Sequence, residues 1–197
     1  RPLMNTWGTT PAEELATYPG DEIIATPQTV STRAITVNAP ASVVWKWLVQ
    51  IGQGRGGFYS FDVLENLFGL DIHNVNEIIP DLQALEVGDV IHLAPENPQM
   101  KVVELKPNYA MVLRALNSKT EAFPSPKSSK YYDMTWAFIL QPVDEYQTRF
   151  VIRGRGFARP FPMRLMNVAL EPITFTMEWK MLRGVKSRAE KTRQTAS

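Results

Sequence analysis

Residues 31–69 carry the most restrictive pattern in the chain: a strand, a proline-started helix, a glycine-rich turn and a second helix in immediate succession. Arg33 to Val37 alternates, with Ile35 and Val37 on one face, as a half-buried strand does. Asn38-Ala39-Pro40 stops that strand, and Pro40, with its fixed φ and no N–H to lose, suits a first helical turn. Val44, Trp47, Leu48 and Ile51 follow at helical spacing, and Gly52 ends the helix. The run Gly52-Gln53-Gly54-Arg55-Gly56-Gly57 then bends the backbone where side chains would clash. Ser60 is placed to cap the next helix, with Asp62 in its first turn and Val63, Leu64, Leu67 and Phe68 as its apolar face.

Composition narrows the function classes. The 197 residues hold 21 basic and 20 acidic side chains, a net charge of +1, which argues against a dedicated nucleic-acid binder. There is no cysteine, so disulfides, thiolate catalysis and cysteine-based zinc sites are excluded. Apolar residues make up 44%, and a chain of this size buries on the order of 70% of its unfolded surface, enough for a full core. No run of about 18 apolar residues is present to span a membrane. The chain opens on Arg1, and a signal or anchor upstream is an expectation from that start. The compartment reads as cytoplasmic or membrane-associated.

Three segments follow from the patterning: a leader over 1–30, a domain over 31–192 and a polar tail over 193–197. In the leader, Thr10-Pro11-Ala12-Glu13 fits a capping box for a short helix, and Trp7 is the residue expected to pack on the main body. Val90–Leu93 and Met100–Leu105 read as strands, and Ala110–Leu116 returns antiparallel across Pro107-Asn108. Residues 117–130 are polar and proline-bearing, a loop long enough to rim a cavity. Tyr131–Gln141 is the clearest strand, with Tyr132, Met134, Trp136, Phe138 and Leu140 on one face. Thr148–Gly156 pairs with it, setting Phe150 and Ile152 against Arg149, Val151, Arg153 and Arg155 on the opposite face. After Pro160-Phe161-Pro162, Met163–Leu170 is apolar and helical, Pro172 predicts a kink or break, and Ile173, Met177, Met181 and Val185 recur every four residues in an amphipathic helix to about Glu190.

The strand followed by Asn38-Ala39-Pro40, then Val44-Trp45, Trp47-Leu48 and a helical hairpin, resembles the opening of the START-like, or SRPBCC, superfamily, which includes pollen-allergen-like proteins, lipid-transfer domains and polyketide cyclases. The resemblance covers roughly residues 30–190. It implies an α+β helix-grip fold: a curved antiparallel sheet wrapped around a long C-terminal helix, with an internal cavity. The segment Gly52–Ser60 resembles that of an uncharacterised bacterial subgroup, which transfers no reaction.

Candidate chemistry is sparse. Gly52, Gly54 and Gly57 satisfy G-x-G-x-x-G, but they follow a helix where a dinucleotide site needs a strand. His73 and His92 are the two histidines; Asp71 with His73 supplies two ligand types without a third nearby, too few for a metal. Asp62 and Glu65 share a helix face beside Tyr59, an arrangement that does acid–base work when desolvated and is otherwise a solvated face. The candidate acid–base set is therefore His73, Tyr59, Asp62 and Glu65, with no metal or other cofactor called. Met163, Met166, Met177 and Met181 on the C-terminal helices, facing Met134, Trp136 and Phe138 of the sheet, suit an irregular apolar ligand as well as an ordinary core. Tyr59 and Arg153 complete the expected pocket, with an arginine from the set Arg114, Arg149, Arg153 and Arg155 entering it to meet a carboxylate.

The leading expectation is binding and transfer of a hydrophobic small molecule, lipid or polyketide-like. The alternatives are a cyclase/aromatase-like enzyme with a pocket acid or base, and a membrane-surface or interaction module tethered by an upstream segment. The expected partners are a hydrophobic small molecule and a membrane, and no nucleic acid.

Overall fold

The computed structural model describes residues 2–59, 73–95, 98–117, 119–120 and 122–195. The predicted second helix, with Asp62 and Glu65, lies outside the described residues. In chain order the described elements are α1 (Pro2–Asn5), α2 (Pro11–Leu15), β1 (Thr29–Val37), α3 (Ala41–Leu48), a single 3-10 turn (Pro80–Leu82), β2 (Val90–His92), β3 (Gln99–Lys106), β4 (Ala110–Ala115), β5 (Tyr131–Pro142), β6 (Thr148–Arg159) and α4 (Phe161–Thr195). The strands form one antiparallel sheet in the order β1-β6-β5-β4-β3-β2, which grips α4 as a helix-grip fold does.

The register explains the two layers. β6 lies between β1 and β5, with Ile152 opposite Arg33 on one side and Phe138 on the other. Period-2 alternation turns Phe150, Ile152, Phe138, Leu140, Met111 and Leu113 to one face. They pack there with Trp47 and Leu48 of α3 and with Met181, Leu182, Val185 and Ala189 of α4. Pro40 sits at the N-cap of α3, and its carbonyl accepts from the backbone of Val43 and Val44 at 2.9 and 3.2 Å.

α4 runs unbroken for 35 residues, so of the kink or break expected at Pro172 the break does not occur. A proline removes one backbone hydrogen bond, and here the bonds and packing on either side outweigh that loss. Downstream, Met181, Leu182, Val185 and Ala189 are fully buried, and the Thr176 hydroxyl donates to the Pro172 carbonyl at 2.8 Å.

The opposite face of the sheet is covered, not exposed. Tyr18 of the leader packs there against Ala34, Val112, Ala137, Ile139 and Val151. Gly8, at φ 74°, comes so close to β1 that a Cβ would stand 2.2 Å from the Ala34 carbonyl oxygen. The arginines of β6 pin the leader down. Arg149 donates to both carboxylate oxygens of Glu13 at 2.6 and 2.9 Å. Arg153, itself buried, donates to Asp21 at 3.2 Å and to the Thr32 hydroxyl at 2.6 Å. Arg155 donates to the Ile24 carbonyl at 3.0 Å. The capping box of α2 forms, with Thr10 N–H donating to Glu13 at 2.7 Å, and Trp7 packs edge-on against Trp179 of α4 at 6.5 Å.

The glycine-rich turn is a closed structural loop. Gly52 and Gly57 exchange backbone hydrogen bonds at 3.0 and 3.1 Å. Arg55 folds back to donate to the carbonyls of Ile51 and Val49 at 3.1 and 2.9 Å, capping the end of α3.

Candidate functional site

Between the sheet and α4 lies a cavity of about 550 Å³. It exists because two inward-facing positions of β6 have no side chain. Gly154 pairs with Trp136 on one side and Ser31 on the other; Gly156 pairs with Met134 and Thr29. The arginines at the alternate positions turn to the leader, so the repeat Arg153-Gly154-Arg155-Gly156 leaves space inside and charge outside. Met134, Trp136 and Tyr132 of β5, Phe58, and Met177 and Met181 of α4 wall that space.

A buried ion pair is built into this wall. Arg33 projects inward from β1, 1% exposed, and Glu178 meets it from α4, 5% exposed. Arg33 Nη1 donates to Glu178 Oε2, its Nε donates to the Met4 carbonyl at 2.8 Å, and the guanidinium lies 5.4 Å from the Phe175 ring centre. The pair thus ties α1, β1 and α4 together at the cavity. Burial holds the Glu178 carboxyl above the ordinary carboxylate range, against the opposing pull of the Arg33 charge and its hydrogen bond. The Trp136 indole N–H is buried without a hydrogen bond of good geometry, yet lies near enough to Glu178 to favour its charged form.

Of the residues singled out in the sequence, the structure brings Met134, Trp136, Met177 and Met181 to the cavity wall. Phe138 lies one layer deeper, fully buried, with its ring 4.7 Å from Trp136 and stacked 6.4 Å from Phe150. Met166 is on the outer surface of α4, 54% exposed, because the helix turns that position away from the sheet. Arg153 is on the opposite face of the sheet, held by Asp21 and Thr32, so strand alternation keeps it out of the cavity. Arg155 and Arg164 lie along the wall, but the arginine that meets a carboxylate there is Arg33, and that carboxylate belongs to the protein.

The two acid–base candidates among the described residues, Tyr59 and His73, do not line the cavity. Tyr59 is 1% exposed; its hydroxyl donates to the Trp47 carbonyl at 3.0 Å, and its ring meets Trp47 edge-on at 5.7 Å. Burial pushes its phenol far above the ordinary tyrosine value, and its backbone, at φ 56°, bonds the Asn74 side chain. Tyr59 is therefore a core strut, and Arg188 lies over its ring at 4.7 Å. His73 is exposed next to that strut, with its carbonyl facing Gly57. Among the described residues no cluster of three or more metal-ligating side chains occurs, and no helix is long and apolar enough to cross a membrane.

Sequence reading did not single out Arg33, Glu178, Gly154 or Gly156. A signal for the glycines was present, as gaps on the same face as Phe150 and Ile152. No such signal exists for the ion pair, whose members are 145 positions apart.

No family model and no curated protein matches the chain. Solved structures match at low identity. A hypothetical protein from Helicobacter pylori aligns at TM-score 0.51 with 12% identity, over 88% of this chain and 95% of that one. The Zhui aromatase/cyclase of a Streptomyces species aligns at 0.47 with 17% identity, over 86% and 98%. A point mutant of norcoclaurine synthase from Thalictrum aligns at 0.45 with 13% identity, over 84% and 96%. At these identities the likeness concerns the fold alone.

Proposed function

We propose that this chain is a START-like (SRPBCC) protein that binds, and carries, an apolar small molecule with one oxygen-bearing polar group, lipid or polyketide-like. The observation that carries this reading is the glycine-made cavity of about 550 Å³, in which methionine and aromatic side chains stand beside the buried Arg33–Glu178 pair and polar groups such as Ser31, Thr135 and Arg164. That volume falls within the range of small-molecule sites, about 300–1,000 Å³. Met134, Met177 and Met181 supply an adaptable lining, and Trp136 a flat one. Arg33 offers further N–H donors beyond those given to Met4 and Glu178, so an oxygen acceptor on the ligand can join the pair without displacing it.

Titration with the fluorescent fatty acid cis-parinaric acid tests the reading. Wild-type protein and Met166→Asp are expected to bind alike, and Met177→Asp is expected to lose binding while remaining folded. Equal binding by Met177→Asp would sink the cavity assignment. A second reading, a cyclase-like enzyme, is favoured by Glu178, a cavity-lining carboxyl whose proton affinity burial raises. Turnover of polyketide-like substrates that disappears in Glu178→Gln, with cis-parinaric acid binding retained, would establish it; turnover unchanged by that substitution would remove it.

A further inference from the structure

The first half of α4 presents two different sides. Arg164, Val168, Glu171 and Thr174 face the cavity. The other side exposes Phe161, Leu165, Met166 and Ile173, with Leu170 at the border between the two; Phe161 is 70% and Leu165 57% accessible. At 100° per residue these five fall on one half of the helix circumference. Residues 161–177 contain only two charged side chains, Arg164 and Glu171, and both belong to the cavity side. From 178 to 194 the same helix carries eight charged side chains and buries Met181, Leu182, Val185 and Ala189. The exposed apolar side is therefore local to the start of the helix, where a contiguous patch of this kind marks a contact surface.

Two neighbours say what the contact is. The first is the cavity entrance: Val30, Tyr132 and Leu170 both line the cavity and are exposed, so the space opens beside the apolar face. The second is the loop from 117 to 130, which carries Lys119, Lys127 and Lys130 against a single acid, Glu121. All three lysines are exposed. The loop leads directly into Tyr131, which pairs with Arg159, two residues before α4 begins at Phe161. Basic loop, entrance and apolar helix face thus share one end of the sheet. A protein partner requires no cation cluster beside the patch; an anionic bilayer does, because lysines meet the headgroups while the apolar side chains enter the acyl boundary.

We propose that the start of α4, together with the loop from 117 to 130, docks this protein on an anionic lipid surface with the cavity entrance facing the bilayer. The test is co-sedimentation with vesicles of phosphatidylcholine, with and without about 30% phosphatidylserine, on the scale where surface potential acts. Binding to the anionic vesicles and little to the neutral ones is expected. Leu165→Asp with Met166→Asp should abolish it, and both residues are surface-exposed, so thermal unfolding should not change. Lys127→Glu with Lys130→Glu should weaken it at least roughly fivefold for each lysine, and salt should weaken it as well. Absence of vesicle binding, or binding indifferent to Leu165→Asp with Met166→Asp, overturns the proposal. So does a concentration-dependent dimer that those two substitutions dissolve, which would assign the patch to a second copy of the chain. None of these readouts uses a cavity ligand, so this proposal and the cavity reading fail separately.

Discussion

Removing one member of the Arg33–Glu178 pair should cost far more than removing both. Arg33→Met leaves a carboxylate that is 5% exposed with no cation beside it. Uncompensated buried charges of this kind cost about 3–5 kcal/mol. For a domain of this size each kcal/mol lowers Tm by about 2–4 °C, so the variant should melt about 6–20 °C lower. Glu178→Gln should cost less, because Arg33 retains the Met4 carbonyl at 2.8 Å and the Phe175 ring at 5.4 Å. Arg33→Met with Glu178→Leu replaces the pair by apolar groups of similar bulk and should recover most of the single-variant loss. Urea unfolding of wild type, both single variants and the double variant closes the cycle. Additive losses, or an Arg33→Met cost below about 1 kcal/mol, the scale of an exposed pair, would refute the argument that this pair is buried and coupled.

The other predictions concern the same frame. A Cβ at Gly184 would stand 2.2 Å from the Tyr59 carbonyl oxygen, so Gly184→Ala should destabilise by about 1–3 kcal/mol in chemical denaturation, although the same change inside an unpacked helix stabilises. The Glu178 carboxyl is held above its ordinary value of 4.5, so the folded chain binds that proton more tightly than the unfolded one. This group's contribution to stability therefore falls as pH rises from 4.5 through the folded value, and urea midpoints across that range should fall less in Glu178→Gln than in wild type. Arg153→Ala removes the partner of the Thr32 hydroxyl and leaves Asp21 with Arg155 at 3.3 Å and the Tyr18 N–H alone, and should loosen the leader and raise dye binding by the apolar outer face around Val112 and Val151; an unchanged dye signal would show that the leader holds without it.

Much of this fold was legible from periodicity. The five principal strands follow from alternation, and their ends differ from expectation by at most a few residues, as in β6, which runs on to Arg159. The side chains of β5 separate into the two faces that the alternation of Tyr132, Met134 and Trp136 requires. Pro172 does not break the helix, because a local rule about one hydrogen bond competes with packing along the rest of α4, which a sequence does not display. The site was legible only in part. Trp136, Met177 and Met181 stand out by residue type and spacing, but Met166 shares their type and faces solvent, which depends on how α4 is rotated against the sheet. Arg33 looks like a surface residue of a half-buried strand until Glu178, contributed by the far end of the chain, arrives to neutralise it. Gly154 and Gly156 read as weak strand positions, and only the register opposite Trp136 and Met134 turns their missing side chains into a cavity.

Native mass spectrometry decides whether the space left by Gly154 takes the apolar ligand proposed for it. Wild-type protein and the variant Gly154→Leu with Ser31→Ala would each be incubated with a mixture of fatty acids and aromatic polyketide-like compounds. The serine is removed because a new Cβ would otherwise meet its hydroxyl at 2.7 Å. The account predicts a one-to-one complex with wild type and the free mass alone with the folded variant. Equal adducts on both proteins, or the free mass on both, would contradict it.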